Sequence, residues 1–448
     1  MAADLSAGRE AGPAVGHDDF ALSRVPLGQR YSWVSVAVQR FGQLSALSQF
    51  LLGATLGFGM RFWDAFWALT LGAVILELVA ILTGIMGQRE GLSTSVLGRW
   101  TGFGRYGSSL VGLVIAISLI GWFGIQNAVF AEGIRSLVGG LPTWAWSIVT
   151  GLGVTLIVLY GFLSMAWTAY ITVPAFLLLA GYSITSALLQ HPLAQLVASP
   201  APGPALSLAA GTTLVAGGFI VGSVITPDMT RFNRSAADVV KQTLVGITLG
   251  EYTIGLIGVL LAHAVRSADV IRIVTSTSGV LGTLILIVAT LKINDWNLYS
   301  SSLGLVNLID ALSGKKVGRG LVTLIVGLLG TVLSAAGILQ QFQGFLLLLG
   351  VTIPPVAGIM VVDYFVLRRH RRVLDESAAS GGVPASVESW NPVMLVAWAG
   401  ASLVGYEVRT GIPALNALVA AGLLYWGLMR LAALLQGRPQ AYFREIPS

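Results

Sequence analysis

The chain has 448 residues, 55% of them hydrophobic and 10% charged, with a net charge of +6 and a mean hydropathy of +0.81. A soluble domain carries roughly 25% charged residues, so the composition excludes a soluble globular protein. At about 20 apolar residues per span, the length also excludes a single-span anchored enzyme.

Residues 1–31 are polar, include Glu10, Asp18 and Asp19, and show no charged stretch leading into an apolar one. The first hydrophobic helix is therefore expected to insert uncleaved. Twelve hydrophobic segments follow, near 34–60, 64–88, 108–136, 143–163, 167–190, 206–226, 242–265, 275–304, 318–338, 342–366, 391–409 and 413–435. The expected fold is an all-α polytopic membrane protein with 12 transmembrane helices. An even number of spans puts both termini on one side. Of 26 Lys and Arg, 19 fall on the tails and the loops of that side, and 5 on the opposite face. That bias places both termini in the cytoplasm. The basic loops are then topology signals, and no nucleic-acid partner is expected.

Charged and polar groups inside the segments are costly in lipid and usually functional. In segment 1, Arg40 lies near the inner end, from where its stem can snorkel to the interface. The same segment carries Gly53, Gly57 and Gly59. Segment 2 contains Glu77. Between segments 2 and 3, residues 102–107 fit G-x-G-x-x-G, but they follow no strand, so a dinucleotide site is not expected. Segment 3 has Trp122 and Gln126 on one helix face, a ring and an amide suited to a flat heterocycle, or simply core packing. Glu132 is near its outer end.

Segment 6 repeats the glycine pattern with Gly217, Gly218 and Gly222. Glycine-interrupted segments in two halves point to an inverted repeat with a midplane site; close packing of small residues is the alternative. Segment 7 contains Glu251, which, like Glu77, is either a protonated structural group or a relay. Segment 8 contains Lys292, about twelve residues from either end, or roughly 18 Å. A lysine there must face a wet cavity or a partner, and Asp295 at i+3 offers one. With no Cys and four His, none paired at helical spacing, neither a thiolate nor a metal centre is expected. No cofactor and no enzyme active site is expected either.

Several of these stretches, in order, carry a resemblance. They are Phe20–Leu27, Gly121-Trp122-Phe123-Gly124, Gly218-Phe219-Ile220 and Thr226–Phe232. After them come Asn294-Asp295, Leu298-Tyr299, Gly304, Ile353-Pro354-Pro355 and Asp363-Tyr364. The chain resembles the nucleobase–cation symporter (purine/cytosine permease) family, above all its bacterial cytosine permeases. The resemblance implies a five-plus-five inverted repeat plus two C-terminal helices. Residues 32–190 would be the first repeat, 206–366 the second and 391–435 the added pair, between cytoplasmic tails at 1–31 and 436–448.

It also implies a bacterial cytoplasmic-membrane transporter, acting as a monomer on a small nucleobase-like substrate by alternating access. Trp122 and Phe219 match the aromatic pair that sandwiches the substrate ring; Gln126, Asn294 and the backbone near Gly218 match its polar contacts. Cytosine permeases differ at the Gln126 position, which leaves cytosine, a purine, a hydroxymethylpyrimidine and a hydantoin-like ureide all open. Sodium-coupled relatives hold Na⁺ with helix 1 carbonyls, here near Gly53, and with hydroxyls where this chain has Lys292 and Ile293. The expectation is that Lys292 replaces the sodium ion and that H⁺ is the coupling ion, with Asp295, Glu77 and Glu251 as relay or counter-charge. A sodium-coupled symporter and an uncoupled facilitator or channel are the alternatives.

Overall fold

The computed structural model describes residues 20, 23–159, 162–313 and 317–435, without the side chains of 162–173, 292, 295, 296, 303, 307, 310 and 311. The described chain is helical, and each hydrophobic segment falls on helix. In order the helices are α1 (Trp33–Leu44), α2 (Leu47–Gly59), α3 (Phe62–Glu90), α4 (Gly104–Val138) and α5 (Thr143–Leu159). Then come α6 (Phe162–Gln190), α7 (Leu208–Val224), α8 (Ala236–Val265), α9 (Val270–Ser313) and α10 (Arg319–Ala335). The last are α11 (Ile338–Leu367), α12 (Arg371–Ala379), α13 (Pro392–Glu407) and α14 (Pro413–Leu435).

Among the described residues six stretches are long and apolar enough to cross a membrane: α3, α4, α8, α11, α14 and Val270–Leu291 of α9. Five apolar helices are shorter. Two of these are short because their segments break. Segment 1 divides at Ser45–Ala46, where Ala46 is extended, giving α1 and α2. Segment 6 stops at Val224, just before Pro227, which has no N–H to continue the ladder.

The glycines do not make these breaks, contrary to the sequence expectation. Gly53 and Gly57 lie inside α2, and Gly217, Gly218 and Gly222 inside α7. A Cβ on Gly53 would collide with the Gly255 carbonyl of α8, and one on Gly217 with the Leu346 carbonyl of α11. These glycines are where helices meet backbone to backbone.

Two groups of helices pack mainly among themselves. One contains α1, α2, α3, α7 and α8; the other contains α4, α5, α9 and α10. Helix α11 lies against α7, α14 and α4, and α6 packs on α9.

Arg40 corrects a second expectation. It does not reach an interface but is fully buried. Its guanidinium donates to Gly222 O of α7 (3.3 Å), Thr226 Oγ1 (3.0 Å) and Gln242 Oε1 of α8 (3.4 Å). Thr83 of α3 donates to the next α7 carbonyl, that of Ser223, at 3.1 Å. The break after α7 leaves its last carbonyls without intrahelical partners, and these side chains satisfy them.

At the Arg-rich face the N-terminal segment is strapped across the helix ends. Arg24 bonds the Glu90 carboxylate (2.8 Å), Ser377 Oγ (2.8 Å) and the carbonyls of Leu374 (3.0 Å) and Gly382 (2.7 Å). The other Glu90 oxygen accepts from the Tyr364 hydroxyl at 2.6 Å. Arg30 donates to Gln88 O at 2.7 Å, and Tyr31 N to Phe232 O at 2.6 Å.

Candidate substrate site

Helices α4 and α9 lie antiparallel. A Cβ on Gly133 would meet Ile287, and one on Gly304 would meet Ala116, so the two contacts are equally spaced along both helices. Two turns inward from the first contact, this register sets Gln126 level with Asn294. Both are buried. Among the described residues, Gln126 Oε1 and both polar atoms of the Asn294 amide have no hydrogen-bond partner, and neither has Nδ2 of Asn297, one turn further along α9. Buried amides are almost always bonded, so several without a described partner at one helix junction stand out. Asn297 was not singled out by the sequence reading, because an Asn within a segment is ordinary until its partners are known.

Trp122 lies one turn from Gln126 on α4 and is buried. Its ring packs edge-on against Phe342 (6.1 Å between centroids) and against Phe345 (5.4 Å), both of α11. Sequence reasoning missed these two phenylalanines; the run Gln340-Gln341-Phe342-Gln343 within an apolar stretch is the available signal. Phe342 also lines a cavity of about 650 Å³, with Leu51 and Thr55 of α2, Glu132 of α4 and Asp269. That volume falls within the roughly 300–1,000 Å³ of small-molecule sites. The cavity lies at the Arg-poor end of the helices, opposite the strapped face.

Phe219 of α7 is half-buried, and Gly218 beside it packs on Leu52 of α2. The Phe219 ring sits 5.8 Å from the Arg40 guanidinium. Trp122 and Phe219 are not ring partners of each other; α2 and α11 are the helices that touch both sides of the site.

Glu77 and Glu251 are away from the amides, at the meeting of α2, α3 and α8. Thr248 Oγ1 donates to Glu77 at 2.6 Å, and Gln49 Nε2 donates to Glu251 at 2.5 Å. Gly53 packs one turn further along the same α2–α8 contact. The side chains of Lys292 and Asp295 lie outside the described residues. Among the described residues no group of His, Cys, Asp and Glu is placed to hold a metal ion.

Over residues 24–427 the chain matches the model of the permeases for cytosine/purines, uracil, thiamine and allantoin. It belongs to that family. The cytosine permease of Escherichia coli K12 is 30% identical over 357 residues, which cover 79% of this chain and 82% of that one. The hydantoin permease of Microbacterium maritypicum is 24% identical over 427 residues, covering 90% and 85%.

The fold is shared with Mhp1, a nucleobase-cation-symport-1 family transporter. Its inward-facing conformation aligns with a TM-score of 0.78 at 20% identity, over 95% of this chain and 97% of that one. Its closed conformation with bromovinylhydantoin bound aligns at 0.75, over 94% and 99%. This permease is therefore a multi-pass membrane transporter of the nucleobase family and not an enzyme.

Proposed function

We propose that the permease imports a neutral, planar nitrogen heterocycle with an amide or amidine edge. Cytosine, purines, hydroxymethylpyrimidines and hydantoin-like ureides are the classes that fit. The observation that carries this is the set of unmet amide groups of Gln126, Asn294 and Asn297 beside the Trp122 ring. They offer both donors and acceptors and no charge, which matches a lactam or amidine edge and disfavours an anion. The ring stacks between Trp122 and Phe219, and the backbone near Gly218 contributes a further contact.

In this reading the Arg-rich face is cytoplasmic in a bacterial inner membrane, both termini are inside, and the monomer is the working unit. The cavity walled by Phe342 then faces outward, and the strap through Arg24 closes the inner face. The five-plus-five inverted repeat supplies two discontinuous helices, α1–α2 and α7, and rocking of the α1/α2/α3/α7/α8 group against the α4/α5/α9/α10 group alternates access. Lys292 stands in for the sodium ion, so coupling is to H⁺. An ammonium where relatives hold a cation repels Na⁺.

The test is binding and uptake in proteoliposomes of cytosine, hypoxanthine and hydantoin, with and without Na⁺, at two pH values. The expected result is saturable uptake of at least one of them, driven by a pH gradient and indifferent to Na⁺. Trp122→Ala should weaken it by about 2 kcal/mol, roughly thirtyfold, as loss of an aromatic anchor does, with membrane insertion intact. Normal uptake by that variant removes the sandwich, and strong Na⁺ stimulation without a pH gradient removes proton coupling.

A further inference from the structure

We propose that Gln49, Glu77 and Glu251 form the proton-binding site of this permease, with Glu251 carrying the proton; this rests on the proton-coupled reading above. Glu251 is fully buried at the start of an irregular turn of α8, Glu251–Gly255. Wide turns of this kind within helices recur at functional sites. One carboxyl oxygen takes the Gln49 amide at 2.5 Å, and the other, Oε1, has no partner among the described residues. Glu77 of α3 is held at 2.6 Å by Thr248, one turn before Glu251 on α8.

Among the described residues no cation offsets the pair, and neither carboxyl forms an ion pair. Helix α2 has no charged residue. Arg40 of α1 packs its stem on Gly246 of α8 and commits its guanidinium to Gly222, Thr226 and Gln242. The Tyr252 hydroxyl is paired with Thr70 (2.8 Å), and both ring nitrogens of His263, at the far end of α8, lie 3.0 Å from the carbonyls of Leu196 and Met60. Two neighbouring carboxyls in a dry site cannot both be charged. The donor facing Glu251 is an amide N–H, which suits a carboxyl rather than a metal ion.

Helix α2 joins the site to the cavity walled by Phe342, which none of Trp122, Gln126, Phe219 and Asn294 lines. Gln49 holds Glu251; Leu52 packs on Gly218; Leu51 and Thr55 line the cavity. Helix α2 meets α8 backbone to backbone at Gly53–Gly255 and Gly57–Val259. A proton taken from outside onto Glu251 keeps this contact neutral and shut. Its release to the cytoplasm leaves a carboxylate there, which draws in water and frees α2 from α8. Substrate and proton thus act on the same short helix.

Two readouts test this. Infrared spectra of the purified permease at neutral pH should contain the C=O stretch of a protonated carboxyl, lost in Glu251→Gln. Glu77→Gln should keep the band and change the pH at which it titrates. In proteoliposomes with cytosine, hypoxanthine or hydantoin, Glu251→Gln should retain counterflow and lose accumulation driven by a pH gradient. The proposal is overturned if no such band exists, if Glu251→Gln leaves it unchanged, or if that variant still accumulates substrate like the parent. Failure of the parent permease to take up any of the three compounds would strike the substrate reading instead, and the infrared result would still decide the proton site.

Discussion

Gln126 and Asn127 are neighbours on α4, both buried amides, yet their surroundings are opposite in kind. Asn127 turns to α5 and α10, where its Nδ2 donates to Ser147 O (2.8 Å) and Ser334 Oγ (3.0 Å) and its Oδ1 accepts from Thr150 (2.9 Å). Gln126 turns to α9, where its Oε1 and the Asn294 amide find nothing. The strap at the Arg-rich face is of the first kind: every group of the Arg24–Glu90 pair described has a partner. Buried polar groups that are bonded hold helices together. Those left unmet are the groups that the proposed function assigns to the substrate. In that proposal the same residue type serves structure on one side of a helix and transport on the other.

The comparison can be broken most forcefully at the strap. Arg24→Ala takes the nearer cation from buried Glu90, leaving it the Tyr364 hydroxyl and Arg371 at 3.9 Å, which should cost about 3 kcal/mol of stability. Thermal unfolding in detergent should show a clear drop, and Glu90→Gln in the same background should recover part of it. The affinity of the amide site for substrate should change little.

The paired amides give the sharper contrast. Asn127→Ala removes three hydrogen bonds, to Ser147 O, Ser334 Oγ and Thr150 Oγ1, and should lower stability by about 1–3 kcal/mol. Gln126→Ala removes a group with nothing to lose inside the protein, so the melting temperature should hold or rise. Substrate affinity should instead fall by about 1–3 kcal/mol, roughly tenfold to a hundredfold, the cost of an unpaired polar edge on the ligand. If Gln126→Ala destabilises the protein as Asn127→Ala does, the distinction between the two sides of α4 is wrong.

The smallest effect concerns His370, just beyond α11. Burial holds its imidazole below the ordinary value of 6.5, and Arg369 adds to this against the pull of Asp363, whose Oδ1 is 4.0 Å away. The unfolded chain therefore takes up the proton first. Stability from the neutral ring is fully present above about pH 6.5 and is lost as the pH falls through the region below it. His370→Gln should flatten the dependence of the melting temperature on pH in that window. An unchanged slope would assign the pH response elsewhere.

Much of the architecture was legible from the residues alone. Hydrophobic length and Lys/Arg bias are local properties that do not depend on what a segment packs against, so every predicted segment fell on a helix. The family membership was legible too, through the ordered motifs of the resemblance, which also put Trp122, Gln126 and Asn294 forward as candidates. The glycines were legible as special positions but not as to their role. Gly53 and Gly217 could mark breaks or close contacts, and only a neighbouring backbone, Gly255 or Leu346, decides which. The actual breaks are set by Ser45–Ala46 and Pro227, weak signals inside apolar runs.

The sequence by itself determined that this is a membrane-embedded helical permease, that charge is scarce within it, and which few polar residues the lipid would otherwise forbid. It could not determine which of those are satisfied. Arg40 finds Gln242 across 202 residues of chain, and Gln49 finds Glu251 across the same separation. Asn127 finds Ser334 across 207, while Gln126 next to it finds no one. A buried polar group is structural or functional according to whether a partner is at hydrogen-bond distance, a matter of a few ångströms between helices far apart in sequence. That distance exists only once the helices have packed.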